Sequence, residues 1–245
     1  MTGHSDSFNY PEGMVINGKY TILERLGAGV EGEVYRVIER NTGIERTAKL
    51  FYPTKNKRNC AAIRYAKLLH QLSECPSVVH YHTHEILRYK KQQITCLISE
   101  YVEGSVLSEY IAKQPNKRLS RTLGLNLLHN IITSLEFMHA KKIVHGDIHS
   151  DNIIVRRYGL GFSIKILDLH WWGKKQIVTS IDDIHQAIQV FHEAIGGSKQ
   201  YRAHPPEIKQ ICLGLKRSLI KKKFKNVAML RNHLENLEWK NEYRE

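Results

Sequence analysis

One run constrains this chain more than any other: Val144-His145-Gly146-Asp147-Ile148-His149-Ser150-Asp151-Asn152-Ile153-Ile154-Val155. A carboxylate and an amide five residues apart sit in a polar loop that leads directly into an apolar strand. Read alone, Ser150-Asp151 is only a turn. The run belongs to a short strand-and-loop block, His145 to Gly173, between two long helical stretches. From Arg121 to Lys141, Leu125, Leu128, Ile131, Ile132, Leu135 and Met138 recur at helical spacing. From Ser180 to Ile195 a second helix opens on Ser180-Ile181-Asp182-Asp183, a capping-box-like start, and stops at Gly196-Gly197. A last helical region covers Pro206 to Trp239.

The first hundred residues have another rhythm. Short alternating runs at Tyr20–Gly27, Glu33–Glu39 and Glu45–Phe51, separated by a Gly-containing turn and by Asn41-Thr42-Gly43, predict an antiparallel meander. A helix follows from about Asn59 to Leu72, then strands near Val78–Leu87 and Gln93–Tyr101, broken at Glu103-Gly104. Five strands and one helix followed by a helical half predict a two-lobed α+β fold.

Composition excludes several classes. With 42% hydrophobic and 25% charged residues the chain is ordinary globular material. No apolar run is long enough to span a bilayer, and Met1–Gly13 lacks the basic start and apolar stretch of a cleavable signal. The expected location is the cytoplasm, or a host cell reached without such a signal. Cys60, Cys75, Cys96 and Cys212 show no CxxC spacing, against a zinc ribbon or disulfide framework. The 37 Lys and Arg against 24 Asp and Glu favour polyanionic partners without selecting one.

Two further elements carry chemistry. Gly27-Ala28-Gly29-Val30-Glu31-Gly32 is a GxGxxG element lying between two strands, which disfavours a dinucleotide fold and favours a flap over ATP. Lys49, inside the apolar strand Thr47-Ala48-Lys49-Leu50, must snorkel or meet an anion, here the α/β-phosphates.

The His145–Val155 run resembles the catalytic loop of the protein-kinase-like superfamily, HxDxxxxN followed by an apolar strand. The resemblance covers about Tyr20 to Gly197. It implies a five-stranded N-lobe with one helix, a helical C-lobe, and ATP with Mg²⁺ (or Mn²⁺) between them. The lobes would be residues 20–101 and 105–245, after an extension 1–19 and joined by a hinge at 102–104. By resemblance Asp147 orients or deprotonates the acceptor hydroxyl, and Asn152 binds metal. His149 stands where protein kinases usually have a lysine on the γ-phosphate. Ile166-Leu167-Asp168-Leu169-His170 is similar to the DFG element, making Asp168 the second metal ligand. Ser99 would be a small gatekeeper, the backbone of Glu100 and Val102 would pair with the adenine edge, and Val34, Thr47 and Ile154 would sandwich the ring.

Three departures qualify the pattern. Leu50 to Ser73 contains no Asp or Glu, so the helix lacks the glutamate that usually pairs with the strand lysine. Tyr65 or Ala66 falls near its place, and Lys49 is expected to turn to Asp168 or to the nucleotide. The stretch from Asp168 to Asp183 leaves no room for a full activation segment. Gly146 with His149 gives HGDxH, common in kinases of aminoglycosides and choline. The expectation is a minimal, monomeric Ser/Thr protein kinase, similar to bacterial effector kinases. An activating acidic partner would meet the basic helix carrying Lys55, Lys57, Arg58, Arg64 and Lys67. Alternatives are a small-molecule kinase and a pseudokinase serving as a binding module.

Other signals weigh less. His80, His82 and His84 alternate on a strand and read as an exposed face rather than a metal site. The cluster Lys216-Arg217 with Lys221–Lys225 reads as a solvated face, with nucleic acid not expected as a partner. Trp171-Trp172 is read as a cap over the core.

Overall fold

The alternating runs of the first hundred residues become strands in the computed structural model, which describes residues 7–90, 92–169 and 178–239. The expected Trp171-Trp172 cap lies outside the described residues. The chain divides into two compact units, residues 1–74 with 79–102, and residues 75–78 with 103–245.

In the first unit, β1 (Val15–Ile16), β2 (Tyr20–Ala28), β3 (Gly32–Glu39) and β4 (Glu45–Phe51) precede α1 (Cys60–Gln71), β5 (Tyr81–Tyr89) and β6 (Gln92–Glu100). They form an antiparallel sheet in the order β1-β2-β3-β4-β6-β5. All five expected strands are present, and the two-residue β1 adds a sixth by pairing Val15 with Thr21. The fourth expected strand starts at Tyr81 rather than Val78, because Val78 instead bridges Ile166 within the second unit.

Register decides which side chains share a face. Val34 lies opposite Lys49, Lys49 opposite Leu97, and Thr47 opposite Ser99. The alternate residues Tyr35, Ala48, Leu50 and Ile98 point to the other face and are buried. Phe8 packs into that core, its ring 4.8 Å from Tyr89 and 5.3 Å from Tyr52. The segment expected as an extension is therefore tied into the sheet from Ser7 onward. Its anchor is Glu33, whose fully buried carboxylate accepts from Ser7 Oγ, the Phe8 N–H and Tyr52 Oη.

The second unit opens with β7 (Ser105–Val106) and α2 (Leu107–Ala112), followed by α3 (Arg121–Ala140), whose first turn is capped by Ser120 Oγ accepting from the Leu123 N–H. Strands β8 (Ile153–Tyr158) and β9 (Gly161–Ile166) form a hairpin, with β7 on the far side of β8. Next comes α4 (Ser180–Ala194), whose Ile184, Ile188 and Phe191 are buried, as are Leu128, Ile131, Leu135 and Met138 of α3. The helical region expected from Pro206 is divided into short helices. After α5 (Gly197–Tyr201), α6 (Pro206–Cys212) ends where Leu213, Gly214 and Leu215 all take positive φ. Then α7 (Arg217–Lys223) stops before Asn226, which caps α8 (Val227–Glu235).

Candidate active site

The loop that leads into β8 is fixed by a buried carboxylate. Asp183, in the first turn of α4, is fully buried and accepts from the His145 N–H (2.9 Å), the Gly146 N–H (2.7 Å) and, at 2.7 Å, His139 Nε2. Gly146 has φ 79°, a left-handed conformation that costs glycine little and lets two successive N–H groups converge on one carboxylate. Gln186, one turn further on, donates to the Gly146 carbonyl and accepts from the Ile148 N–H. The Asp147 backbone is thereby held on both sides.

His145 is buried, and burial holds its imidazole below the ordinary histidine range. The neutral ring has one proton. Nε2 donates it to the Leu167 carbonyl (2.8 Å), so Nδ1 accepts from the Asp147 N–H (3.2 Å). Leu167 in turn donates its N–H to the Asn152 carbonyl (2.8 Å). The loop and the segment after β9 are thus one hydrogen-bonded unit, with Asp168 beside it in a left-handed conformation, φ 49°.

Three expected site residues meet here. Asn152 Nδ2 donates to the Asp147 carbonyl (3.0 Å) and, at 3.4 Å, to Asp147 Oδ2. That direction leaves the amide oxygen as the ligand atom of Asn152. His149 Nε2 stands 3.7 Å from Asp147 Oδ2, and its Nδ1 accepts from the Asp151 N–H at 3.3 Å. The Asp147 side chain is 38% exposed although its backbone is locked. An amide oxygen at Asn152 and a carboxylate at Asp168 are hard oxygen donors, the kind that suits Mg²⁺.

In the first unit, Val34, Thr47, Lys49 and Ser99 share one face of the sheet. Gly27 and Ala28 end β2, and Gly29 and Val30 form the turn, closed by the Gly29 N–H on the Gly32 carbonyl (2.9 Å). A Cβ at Gly32 would lie 1.9 Å from the Leu50 carbonyl oxygen, so only glycine permits this approach to β4. Glu100 gives its N–H to the His80 carbonyl and accepts from the His80 N–H on Oε1. Val102 ends this unit, whereas Ile154 belongs to the second, in β8 opposite Val106 and Lys165.

Within its own unit, Lys49 meets a carboxylate and an aromatic ring. Its Nζ lies 3.6 Å from Glu31 Oε2, on the glycine-rich turn, and 4.6 Å from the centre of the Tyr65 ring on α1. The sequence put Tyr65 or Ala66 near the place of the helix glutamate and did not single out Glu31 as a partner of Lys49. It also missed Asp183. The capping box lies one residue earlier than expected, with Thr179 as cap and Asp182 accepting from its N–H (2.8 Å), which releases Asp183 to point inward. Of the alternating histidines, His82 Nε2 pairs with Arg46 (2.8 Å) and His84 Nδ1 with Tyr81 Oη (3.3 Å).

A sheet-rich unit with one helix, joined to a helical unit that carries a braced His-Gly-Asp loop, defines a protein-kinase-like fold. The family model described as the protein kinase domain matches residues 20–209, and the chain belongs to that family. It is 27% identical over 161 residues to the serine/threonine-protein kinase pkn2 of Myxococcus xanthus, covering 64% of this chain and 18% of that protein. It is 29% identical over 163 residues to the human cAMP-dependent protein kinase catalytic subunit PRKX, covering 62% and 43%. The chain spans less than half the length of either relative. Its fold is similar to that of a double mutant of the PknI kinase domain of Mycobacterium tuberculosis, with a TM-score of 0.66, 16% identity, and coverage of 94% and 98%. Among the described residues no helix is long and apolar enough to cross a membrane.

Proposed function

We propose that the protein transfers the γ-phosphate of ATP to serine or threonine hydroxyls of other proteins. The observation that carries this reading is the bracing of Asp147. A buried carboxylate, a neutral histidine and a glutamine fix its backbone while its own carboxylate stays accessible. In the second unit, Asp147 accepts the hydrogen bond of the incoming hydroxyl and orients it, and His149 beside it supplies a donor to a phosphate oxygen. Asn152 and Asp168 hold the metal, which when bound neutralises charge on the phosphates. In the first unit, the N–H groups of the Gly27–Gly32 turn and the Lys49 ammonium hold phosphates. Val34 and Thr47 there, and Ile154 in the second unit, offer apolar surface to adenine, and Ser99 leaves room beside it.

The test is transfer from γ-labelled ATP with Mg²⁺ into a cell lysate, comparing wild type with Asp147→Asn. Labelled proteins that vanish with the variant support the reading. ATP consumption that depends on Asp147 without labelled protein would replace it with a small-molecule kinase, and neither activity would leave a binding module.

We also infer an acidic activating partner at α1. The segment Leu50–Ser73 has no acidic residue. A cavity of about 440 Å³ beside the helix is lined by Ala62, Ile63, Leu97 and the basic Lys67, His70 and His84. Apolar walls beside a helix that carries Arg64 and Lys67 suit a segment whose large apolar side chains are flanked by carboxylates. A synthetic peptide of alternating Glu and Phe should stimulate the wild type and not Arg64→Glu/Lys67→Glu. Equal stimulation of both would exclude the site.

A further inference from the structure

With no acidic residue in α1, a carboxylate near Lys49 within its own unit must come from another element. The Lys49 side chain is only 12% exposed, so a nearby carboxylate acts on it through poorly screened space. Glu31 brings one to 3.6 Å, and two features fix Glu31 in that position. The Tyr52 N–H donates to the Glu31 carbonyl (2.8 Å), tying the turn to the end of β4. The pairings Gly32–Phe51, Glu33–Leu50 and Val34–Lys49 set the register between that turn and the lysine. Beneath the ammonium lies the Tyr65 ring (4.6 Å), with Phe51 next (5.5 Å), an aromatic floor that favours a cation.

We propose that Glu31 is a positioning residue for Lys49, supplying from the glycine-rich turn the negative charge that α1 does not provide, with Tyr65 as the floor. This deepens the phosphotransfer reading and rests on it. The bland alternative is an exposed ion pair of little consequence, since the Glu31 side chain is 38% exposed. Two consequences separate them. A positioner affects ATP and leaves the protein acceptor alone. A carboxylate placed on the other side of the lysine, at position 65, should also replace it.

The experiment measures ATP dissociation constants by titration with Mg²⁺, and kcat/KM for ATP where transfer is observed. It compares wild type, Glu31→Gln, Glu31→Asp and Glu31→Gln/Tyr65→Glu, each checked for a wild-type melting temperature. Glu31→Gln should weaken ATP roughly 3- to 5-fold with KM for the protein acceptor unchanged. Glu31→Asp should recover part of the loss, and Tyr65→Glu most of it. An ATP affinity within twofold of wild type or tighter in Glu31→Gln would overturn the proposal. So would a folded double variant that recovers nothing. The titration needs no turnover, so failure of transfer in the wild type refutes the kinase reading separately.

Discussion

Two charged sites of this chain are built on opposite principles. At the loop before β8, the bracing carboxylate of Asp183 is fully buried and accepts from two backbone N–H groups and a histidine. At β4, the Lys49 ammonium meets a half-exposed carboxylate on a turn and the face of an aromatic ring. The first arrangement is over-determined: each partner is held by another, and no member can leave without orphaning a buried polar group. In the second, the carboxylate is on a turn and 38% exposed rather than locked in a core. On the proposed reading, the acceptor side is held by buried hydrogen bonds, whereas the nucleotide side involves the glycine-rich turn.

The largest expected effect lies at the over-determined end. Asp183→Ala strands three donors at once and should cost about 3–5 kcal/mol of stability. Urea unfolding measures it, and activity should fall at least 100-fold in the protein that remains folded. A loss below about 1 kcal/mol would mean that the brace is ornamental. Next comes Gly32→Ala. The new Cβ meets a backbone oxygen at 1.9 Å, so β3 and β4 must part. We expect about 2 kcal/mol of destabilisation and an ATP affinity reduced more than acceptor affinity, read by thermal melts and nucleotide titration. If the two affinities fell together, the contrast between the sites would fail.

The smallest effect concerns pH. Burial lowers the pKa of His145, and of His192, whose Nδ1 has no hydrogen-bond partner among the described residues. As pH falls through the ordinary histidine value near 6.5, the unfolded chain takes up protons that the folded one refuses. Stability is therefore full above about pH 6.5 and declines below it. His192→Phe should flatten that decline in melting curves between pH 7.5 and 5. A pH-independent midpoint in the wild type would contradict it.

Much of this was legible in the sequence because it rests on local pattern. Period-two runs gave the sheet, and period-3.6 runs gave α1, α3 and α4. The His145–Val155 run and the glycine-rich turn were visible as spacing. Asp183 was not, because an acid in the first turn of a helix reads as a cap, and its true partners lie 37 to 44 residues away. Glu31 was hidden by its setting among glycines, where backbone draws attention from a side chain that reaches Lys49. Phe8 and Glu33 join segments 25 residues apart through burial that no periodicity marks. The breaks after α6 also escaped, since Leu213 and Leu215 have apolar side chains and left-handed backbones.

Single-turnover transfer of labelled phosphate, with ATP affinity measured on the same protein, tests most directly the claim that Asp147 acts on the acceptor from a fixed loop. For Asp147→Asn the account predicts a transfer rate at least about 100-fold lower and an ATP affinity within threefold of wild type. Retained transfer, or an affinity lost in proportion to the rate, would contradict it.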